Sequence, residues 1–443
     1  MEDLHLSCEF LRSITWGDRN PGDLVPLALR HLVALCPRCQ AEVDAFIREV
    51  RAQGEEPADY AEAIARALAR AQHFAEQVAE EREEAAALLG ELRRLKPGGR
   101  LAAVEGSPER YRGPALAQLL LEETLGCLPG RPQEALSTAQ LARAVLRHAE
   151  TSPIASELFA RATAHAGNAL RALGRLAEAD EALKDARFLL RQGGGGDRRL
   201  SAELDSFEGS LRRDERRLPE ALTLLHRALV AYRLEEDKVC VIQTLLKVGM
   251  VHREMGEIDE AIAATREALE ASNAEEHPRL HLYARHNLAY LLCEVGGYTA
   301  ARRLVDESLG LYSLADALTQ LRFLWLEGRI AQGLGQVETA EGSYRAARGG
   351  FAREGLAYDV ALISLDLATL YLELRRTAEV KALAEEMVGI FEAREIHREA
   401  LAALLLFRDA ARLEQLTLEL LRDLSSYLHA ARHNPGLSFQ PHQ

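Results

Sequence analysis

The chain has no long apolar run and no basic start, and these absences exclude membrane and secreted proteins. No stretch approaches the roughly 20 apolar residues that a helix needs to span a bilayer. The N-terminus, Met1-Glu2-Asp3-Leu4, lacks the basic residues and the apolar core of a secretory signal. We therefore expect a cytoplasmic protein that makes no membrane contact.

Positive charge is also in deficit. The chain has 54 Lys and Arg against 68 Asp and Glu, a net charge of −14. Such a chain repels phosphate groups, so we expect no nucleic-acid partner. Aromatic residues make up only 5% of the 443 residues, whereas Ala, Leu, Glu and Arg dominate, which is typical of a helical protein.

Catalytic motifs are missing as well. The sequence has no His-Glu-x2-His, no Gly-x-Ser-x-Gly and no Rossmann glycine run. The glycines at 193–196 lack the Gly-Lys-Ser/Thr of a phosphate-binding loop and are interpreted as a linker. His281 and His286 are five residues apart, which places them off the i, i+4 face that could share a metal. We therefore predict a protein that is not an enzyme.

Cysteine is sparse and does not form a disulfide framework. Three of the six cysteines occur singly inside helical patterns, which indicates reduced thiols. The six are Cys8, Cys36, Cys39, Cys127, Cys240 and Cys293.

Small residues recur in three columns about 40 residues apart, and this is the strongest pattern in the chain. The first column is Gly174, Arg216, Gly256, Gly296, Gly335 and Arg375. Five residues downstream lie Ala179, Ala221, Ala261, Ala301, Ala340 and Val380. Seven residues upstream lie Gly167, Gly209, Gly249, Ala289, Gly328 and Ala368. Glycine suits the turn between two helices, and small residues suit the point where the helices cross. The columns therefore predict tandem helix hairpins, which must stack to bury their apolar faces.

The predicted fold is all-α, a right-handed α-solenoid of about seven helix hairpins. A small helical N-terminal domain precedes the hairpins, and a C-terminal helix caps them. Clear repeats are expected at about 154–190, 200–232, 238–272, 279–313, 317–353 and 357–391. The segment 114–148 is predicted to be a degenerate first repeat with Gly130 in its turn.

The spacing of the columns resembles the tetratricopeptide repeat. It is seen in "LLKVGMVHREMGEIDEAIAATREAL" (245–269), "RHNLAYLLCEVGGYTAARRLVDESL" (285–309) and "WLEGRIAQGLGQVETAEGSYRAA" (325–347). The period of about 40, not 34, is similar to the long-helix subclass found in bacterial regulators and in motor- or polarity-associated adaptors. The resemblance implies a protein-binding scaffold.

A second pattern, near the N-terminus, could hold a metal. Cys36 and Cys39 place two thiolates on one tight turn, an arrangement that can bind a metal ion in tetrahedral coordination. His31 lies one and a half helical turns upstream. Cys8 or His5 could supply a fourth ligand. The alternative is that both cysteines are small buried helix-end residues.

This segment resembles the zinc-binding anti-sigma factor domain, with four residues instead of three between the histidine and the first cysteine. The resemblance implies one structural zinc held by His31, Cys36, Cys39 and Cys8.

Six segments are therefore expected along the chain. They are a helical zinc-finger-like segment (1–53), a long helix or linker (54–100), a degenerate first repeat (101–150), the repeats (151–396), capping helices (397–433) and a flexible tail (434–443). The long helix at 58–95 could pack on the first repeat or form a homodimeric coiled coil. Its alanine-rich stripe without sustained heptads favours the first.

In the tetratricopeptide fold the inner surface is lined by fixed positions of each first helix, and here those positions are rich in arginine. Asn287 takes a position where family members hold the backbone of a bound peptide. The arginines suit carboxylates, and the aromatic residues offer flat apolar contact. The alternative is that the arginines are ordinary solvated side chains. The predicted groove residues are Arg213, Lys247, Arg253, Tyr283, Asn287, Tyr290, Arg322, Trp325 and Arg329.

Two functions follow. The first is an intracellular adaptor or regulator that binds a protein or an acidic peptide in this groove. The second is a structural protein that self-assembles into oligomers or filaments through the ends of the solenoid.

Overall fold

The structure is a computed structural model, and it describes most of the chain from residue 79 onward. The described residues are 79–128, 130–149, 153–192, 198–313, 315–393, 398–412, 415–432, 434 and 437–439. All regular structure within these ranges is helical and no strand occurs in them, which confirms the all-α prediction. Contacts divide the chain into two units, one of residues up to 125 with 137–159, the other of 126–136 with residues from 160 onward.

The described part of the first unit begins with helix α1 (79–94). This helix ends just before Lys96, and Pro97 opens the next helix, because proline is tolerated in a first turn. The following helices are α2 (Pro97–Gly106), α3 (Pro108–Tyr111), α4 (Pro114–Cys127) and α5 (Pro132–Arg147).

The second unit is a series of helix hairpins, and most of its helices pack on the helices next to them in the chain. The bounds lie within a few residues of the predicted repeats. The hairpins are α6 (Pro153–Ala172) with α7 (Leu176–Gln192), α8 (Arg198–Asp214) with α9 (Leu218–Leu234), α10 (Lys238–Met255) with α11 (Ile258–Ala271), α12 (Pro278–Glu294) with α13 (Tyr298–Asp306) and α14 (Leu309–Ser313), α15 (Ala317–Gly333) with α16 (Val337–Arg353), and α17 (Ala357–Glu373) with α18 (Thr377–Ala393).

Side-chain caps fix where some of the first helices begin. The carboxylate of Asp237 accepts a hydrogen bond of 2.9 Å from the backbone N–H of Cys240 at the start of α10. Asp316 does the same for Thr319 at the start of α15, also at 2.9 Å. Each cap satisfies a backbone donor that the helix leaves without a partner.

The first column of small residues marks the turn inside each hairpin. Its six members all adopt positive φ, from 57° at Arg375 to 82° at Gly256. This left-handed conformation suits glycine, and it is strained for the two arginines that replace glycine, Arg216 and Arg375. The predicted register of the repeats is therefore confirmed at the turns.

The other two columns meet where the two helices of a hairpin cross. A Cβ atom on Gly249 would lie 2.7 Å from Oγ1 of Thr265 and 3.2 Å from the carbonyl oxygen of Ala261. Ala261 itself is fully buried. The small residues let the backbones of the first and second helix approach closely.

Two more helices follow the hairpins, α19 (Arg398–Arg412) and α20 (Leu418–Ala431). Helix α19 packs on α18, whereas α20 packs on α17 and α19. The side chain of Thr417 accepts a hydrogen bond of 3.1 Å from the backbone of Leu420 and caps α20. None of the described helices is long and apolar enough to cross a membrane.

The crossing of α10 and α11 can be tested by enlarging Ala261. We expect Ala261→Leu to lower the free energy of unfolding by roughly 1–3 kcal/mol, because added methyl groups would push the helices apart. Chemical denaturation measures the change. Ala263→Leu adds the same atoms at an exposed position of α11 and is the matched control. Equal stability of the two variants would show that this crossing is not close-packed.

Candidate interaction surface

The nine predicted groove residues lie on four first helices, and we call them together the first-helix strip. Arg213 lies on α8, and Lys247 and Arg253 lie on α10. Helices α12 and α15 each carry three more. All nine side chains are half-buried, so each touches the protein and also retains contact with solvent.

Direct side-chain contacts join the strip to neighbouring first helices at a regular sequence spacing. Nε of Arg253 on α10 donates to Oε1 of Glu294 on α12 at 2.8 Å, and these residues are 41 apart. The indole N–H of Trp325 on α15 donates to Asp366 on α17 at 2.6 Å, again 41 residues away. Gln332 and Glu373 make the same connection at 2.9 Å. We call this series the 41-residue ladder.

Arg213 is also paired. Its Nη2 lies 2.7 Å from Oδ1 of Asp214, and its Nε lies 3.7 Å from Oε1 of Glu254 on α10. Asp214 in turn accepts a hydrogen bond of 2.6 Å from Nη1 of Arg171 on α6. The sequence indicated a row of cations open to an acidic ligand. In the structure Arg213 and Arg253 are instead engaged by carboxylates, so they do not act as open cations.

Tyr290 on α12 forms an aromatic contact between two arginines. Cζ of Arg253 lies 4.7 Å from the centre of its ring, and Cζ of Arg329 on α15 lies 4.4 Å from it. Nη2 of Arg253 also donates to the tyrosine hydroxyl at 3.1 Å. The arrangement joins three successive first helices through cation–π contact. Tyr290 and Arg253 therefore hold the scaffold together as well as line its surface.

Lys247 on α10 has no carboxylate partner among the described residues. Its Nζ donates to Oγ of Ser206 at 2.7 Å and lies 5.9 Å from the ring centre of Phe207. Within the described part of the chain no carboxylate lies at ion-pairing distance from it. Burial, aided by the nearby positive charges of Arg171 and Arg213, lowers the pKa of Lys247 to about 8.

Two more groups of the strip have neither a polar partner nor a ring contact among the described residues. They are the side-chain amide of Asn287 on α12 and the guanidinium of Arg322 on α15. Burial, aided by the charge of Arg322, lowers the pKa of His286 to about 4, so His286 is neutral at pH 7. Its Nδ1 makes a 2.9 Å hydrogen bond with the hydroxyl of Tyr312. We call Lys247, Asn287 and Arg322 the open groups.

The carboxylates of the ladder are the part of the site that the sequence analysis missed. The predicted groove did not include Glu254, Glu294 and Asp366, because it was defined by cations, aromatic residues and one asparagine. A signal was nevertheless present, since each lies 41 residues after a strip residue. In a repeat protein, pairs of opposite charge one period apart occupy equivalent positions on adjacent helices and can meet.

The proposed zinc ligands fall outside the described residues. These are His31, Cys36, Cys39, Cys8 and the alternative ligand His5. Among the described residues no group of three or more His, Cys, Asp or Glu is placed to hold a metal. The described cysteines, Cys127, Cys240 and Cys293, form no disulfide with one another.

Part of the hairpin array is similar to a known repeat. Residues 200–274 match the model of the tetratricopeptide repeat. That match covers α8 to α11, the part of the chain that holds Lys247 and its partner Ser206. Comparison with curated protein sequences finds no match.

Solved structures extend the likeness over more of the chain. A Rap protein complexed with competence and sporulation factor has a TM-score of 0.55 at 15% identity, over 72% of this chain and 89% of that chain. Aspartyl phosphate phosphatase F from Bacillus subtilis has a TM-score of 0.49 at 13% identity, over 88% and 96%. Apo NprR from B. thuringiensis has a TM-score of 0.47 at 15% identity, over 78% and 99%. The first likeness shows that the two chains share a fold.

The buried charge of Lys247 predicts a pH-dependent penalty on stability. Below pH 8 the folded chain holds a charged ammonium with one hydrogen bond. Between pH 8 and the ordinary lysine pKa of about 10.4 it is neutral in the folded state and still charged in the unfolded state, so the penalty fades. We expect Lys247→Met to be more stable than the wild type at pH 7, by on the order of 1 kcal/mol.

Chemical denaturation between pH 7 and pH 10.5 measures the difference, which should shrink steadily above pH 8. Lys184→Met removes a lysine that is 69% exposed and serves as the matched control, with no such trend. If the wild type had the higher free energy of unfolding at every pH, the burial of an uncompensated charge at Lys247 would be contradicted.

Proposed function

We propose that this chain is a non-enzymatic adaptor or regulator that binds a protein or peptide partner along the first-helix strip. The observation that carries the proposal is the set of open groups, Lys247, Asn287 and Arg322. They lie on three successive first helices, α10, α12 and α15. The other charges of the strip are paired with carboxylates, as Arg213 and Arg253 are, or lie over an aromatic ring, as Arg329 does. An uncompensated, half-buried cation is destabilising. Its presence is best explained by a ligand that supplies the missing negative charge.

The chemistry of the open groups favours a partner with acidic side chains. The ammonium of Lys247 and the guanidinium of Arg322 each attract a carboxylate, and a guanidinium can hold both oxygens. The amide of Asn287 lies between them along the chain and can both donate to and accept from a peptide backbone. Because adjacent helix axes are roughly 10 Å apart, Lys247 and Arg322 are separated by roughly 20 Å. An extended peptide of about six residues spans that distance.

The shared fold supports this proposal. The Rap protein with the similar fold was crystallised in complex with competence and sporulation factor. A scaffold of stacked hairpins therefore holds a partner molecule in at least that case. For this chain the partner remains a proposal that depends on the open groups.

A direct test uses two labelled peptides of the same length. One has glutamates six residues apart in a glycine-serine background, and the other has glutamines in their place. We expect the wild-type chain to bind the glutamate peptide more tightly, with an affinity that falls as salt rises. Fluorescence anisotropy measures both affinities at low and high ionic strength.

Variants assign the binding to the strip. Lys247→Met combined with Arg322→Gln should weaken the glutamate peptide by about tenfold or more, because two charge-assisted contacts are lost. Arg266→Gln removes a positive charge at an exposed position of the second helix α11 and should leave the affinity unchanged. Equal binding of the two peptides, or equal losses in both variants, would contradict the proposal. Arg213 and Arg253 are poor choices for this test, because their loss also breaks the ladder.

The alternative function is self-assembly through the ends of the repeat array or through the segment 58–95. Light scattering over a concentration series separates the two functions. A chain that stays monomeric or forms a small oligomer of fixed size supports the adaptor, whereas mass that grows with concentration supports assembly.

We also propose that residues 1–53 bind one structural zinc through His31, Cys36, Cys39 and either Cys8 or His5. Four protein ligands leave no position for a reactive water, so the metal would stabilise the segment and not catalyse. Protein prepared without chelator should carry about one equivalent of zinc, as four ligands around one ion require. Elemental analysis that finds well under half an equivalent would rule this out. Cys36→Ser should lose the metal and leave the helical repeats folded.

A further inference from the structure

Helix α17 is covered, whereas the equivalent side of α10, α12 and α15 is open. On α10, α12 and α15 the residues of the strip are half-buried, and Met250 on α10 is 42% exposed. On α17 nearly every side chain from Ala357 to Tyr371 is buried. Helix α20 packs on α17 and accounts for this difference.

Helix α20 reaches the strip itself. The imidazole of His429 on α20 stacks on the indole of Trp325, with ring centres 6.4 Å apart and planes within 4° of parallel. Trp325 is a strip residue of α15 and donates to Asp366 on α17. The last helix of the array thus lies against the side of α15 and α17 that continues the strip.

A buried carboxylate on α17 adds a charge requirement to this contact. Asp359 is 3% exposed and lies seven residues, two helical turns, before Asp366, so both occupy the same side of α17. Nη1 of Arg432, just after α20, donates to Oδ1 of Asp359 at 2.9 Å. The other oxygen, Oδ2, is buried and has no hydrogen-bond partner. A helix that packs here therefore needs a cation opposite Asp359, and Arg432 donates to only one of the two carboxylate oxygens.

The rest of the contact is an apolar stripe. On α20 the buried residues follow helical spacing, and Phe439 packs edge-on against Tyr427 with ring centres 5.2 Å apart. The hydroxyl of Tyr427 donates to the carbonyl oxygen of Leu437 at 3.0 Å. The buried stripe consists of Leu421, Leu424, Tyr427, Leu428 and Ala431.

We propose that the side of α15 and α17 marked by Trp325, Asp366 and Asp359 is a helix-docking surface, which α20 occupies in cis and a partner helix of the same pattern can take over. The fitting partner is an amphipathic helix with apolar residues at i, i+3 and i+7 and an arginine just beyond its last turn. A partner arginine that holds both oxygens of Asp359 would satisfy the atom that Arg432 leaves buried without a partner. Displacement of α20 would also uncover Trp325 and lengthen the first-helix strip by one repeat.

The test uses the full chain and a fluorescein-labelled synthetic peptide of residues 415–439. Arg432→Glu places a negative charge against Asp359 and should release the chain's own α20, so that this variant binds the peptide at least tenfold more tightly than the wild type. Arg422→Glu makes the same charge change at an exposed position of α20 and should behave like the wild type. With Trp16 replaced by Phe, Trp325 is the single tryptophan, and its emission should change as the peptide binds.

Three results would overturn the proposal. The first is that Arg432→Glu binds the peptide no more tightly than Arg422→Glu. The second is binding that leaves the emission of Trp325 unchanged, because the peptide would then lie elsewhere. The third is a wild-type chain that dimerises and an Arg432→Glu chain that does not, which would assign the surface to α20 of a second copy.

Hydrogen exchange on the wild-type chain keeps the proposal testable if Arg432→Glu fails to fold. A replaceable helix opens on its own, so the amides of α20 should exchange well before those of α17 and α18. Exchange of α17 and α20 as one unit would mean that α20 is a permanent cap. Neither measurement involves Lys247, Asn287 or Arg322. A negative result for the docking surface would therefore not contradict the proposed acidic partner, and a negative result for the acidic partner would not contradict the docking surface.

Discussion

The close crossing of the two helices in each hairpin is the constraint on which the rest of the structure depends. Where Gly249 passes over Ala261 and Thr265 there is no room for a side chain, so the rotation of α10 about its own axis is fixed. Once that rotation is fixed, the residues that face the neighbouring hairpin and those that remain toward solvent are fixed too. The first-helix strip and the 41-residue ladder are consequences of this crossing, repeated along the chain.

The ladder divides the charges of the strip into two kinds. Arg213 and Arg253 are held by carboxylates, and Arg253 also contacts Tyr290, so these charges couple one repeat to the next. In a repeat array stability comes from such nearest-neighbour contacts as well as from each hairpin. Lys247 also reaches α8, through Ser206 and Phe207, but it meets no carboxylate there, and the burial of its charge is unfavourable. A surface that contains both kinds of charge keeps its shape while it presents a few unsatisfied groups to a partner.

Much of the fold could be predicted from the sequence, and the limits have physical causes. Positive φ at Gly256 and close approach at Gly249 restrict the residue type, so they leave a local signature that the columns revealed. The faces of the helices then followed from the register. The register did not predict which arginines of the strip are ion-paired, because this depends on which carboxylate one period away meets each arginine. The docking of α20 on α17 depends on the match between two surfaces that no local pattern encodes.

The first-helix strip at α10 and the proposed docking surface on α17 differ in the charge that they leave unsatisfied. Around Lys247 the cations Arg171 and Arg213 share Asp214, so positive charge is in excess there. On α17 one oxygen of Asp359 is buried without a hydrogen-bond partner, and Asp366 is bound by a neutral indole N–H. Charges of one sign in the wrong place at an interface are strongly unfavourable. If one partner occupied both proposed surfaces, its acidic segment would lie on α10 and its basic helix on α17, so it would bind in one direction only.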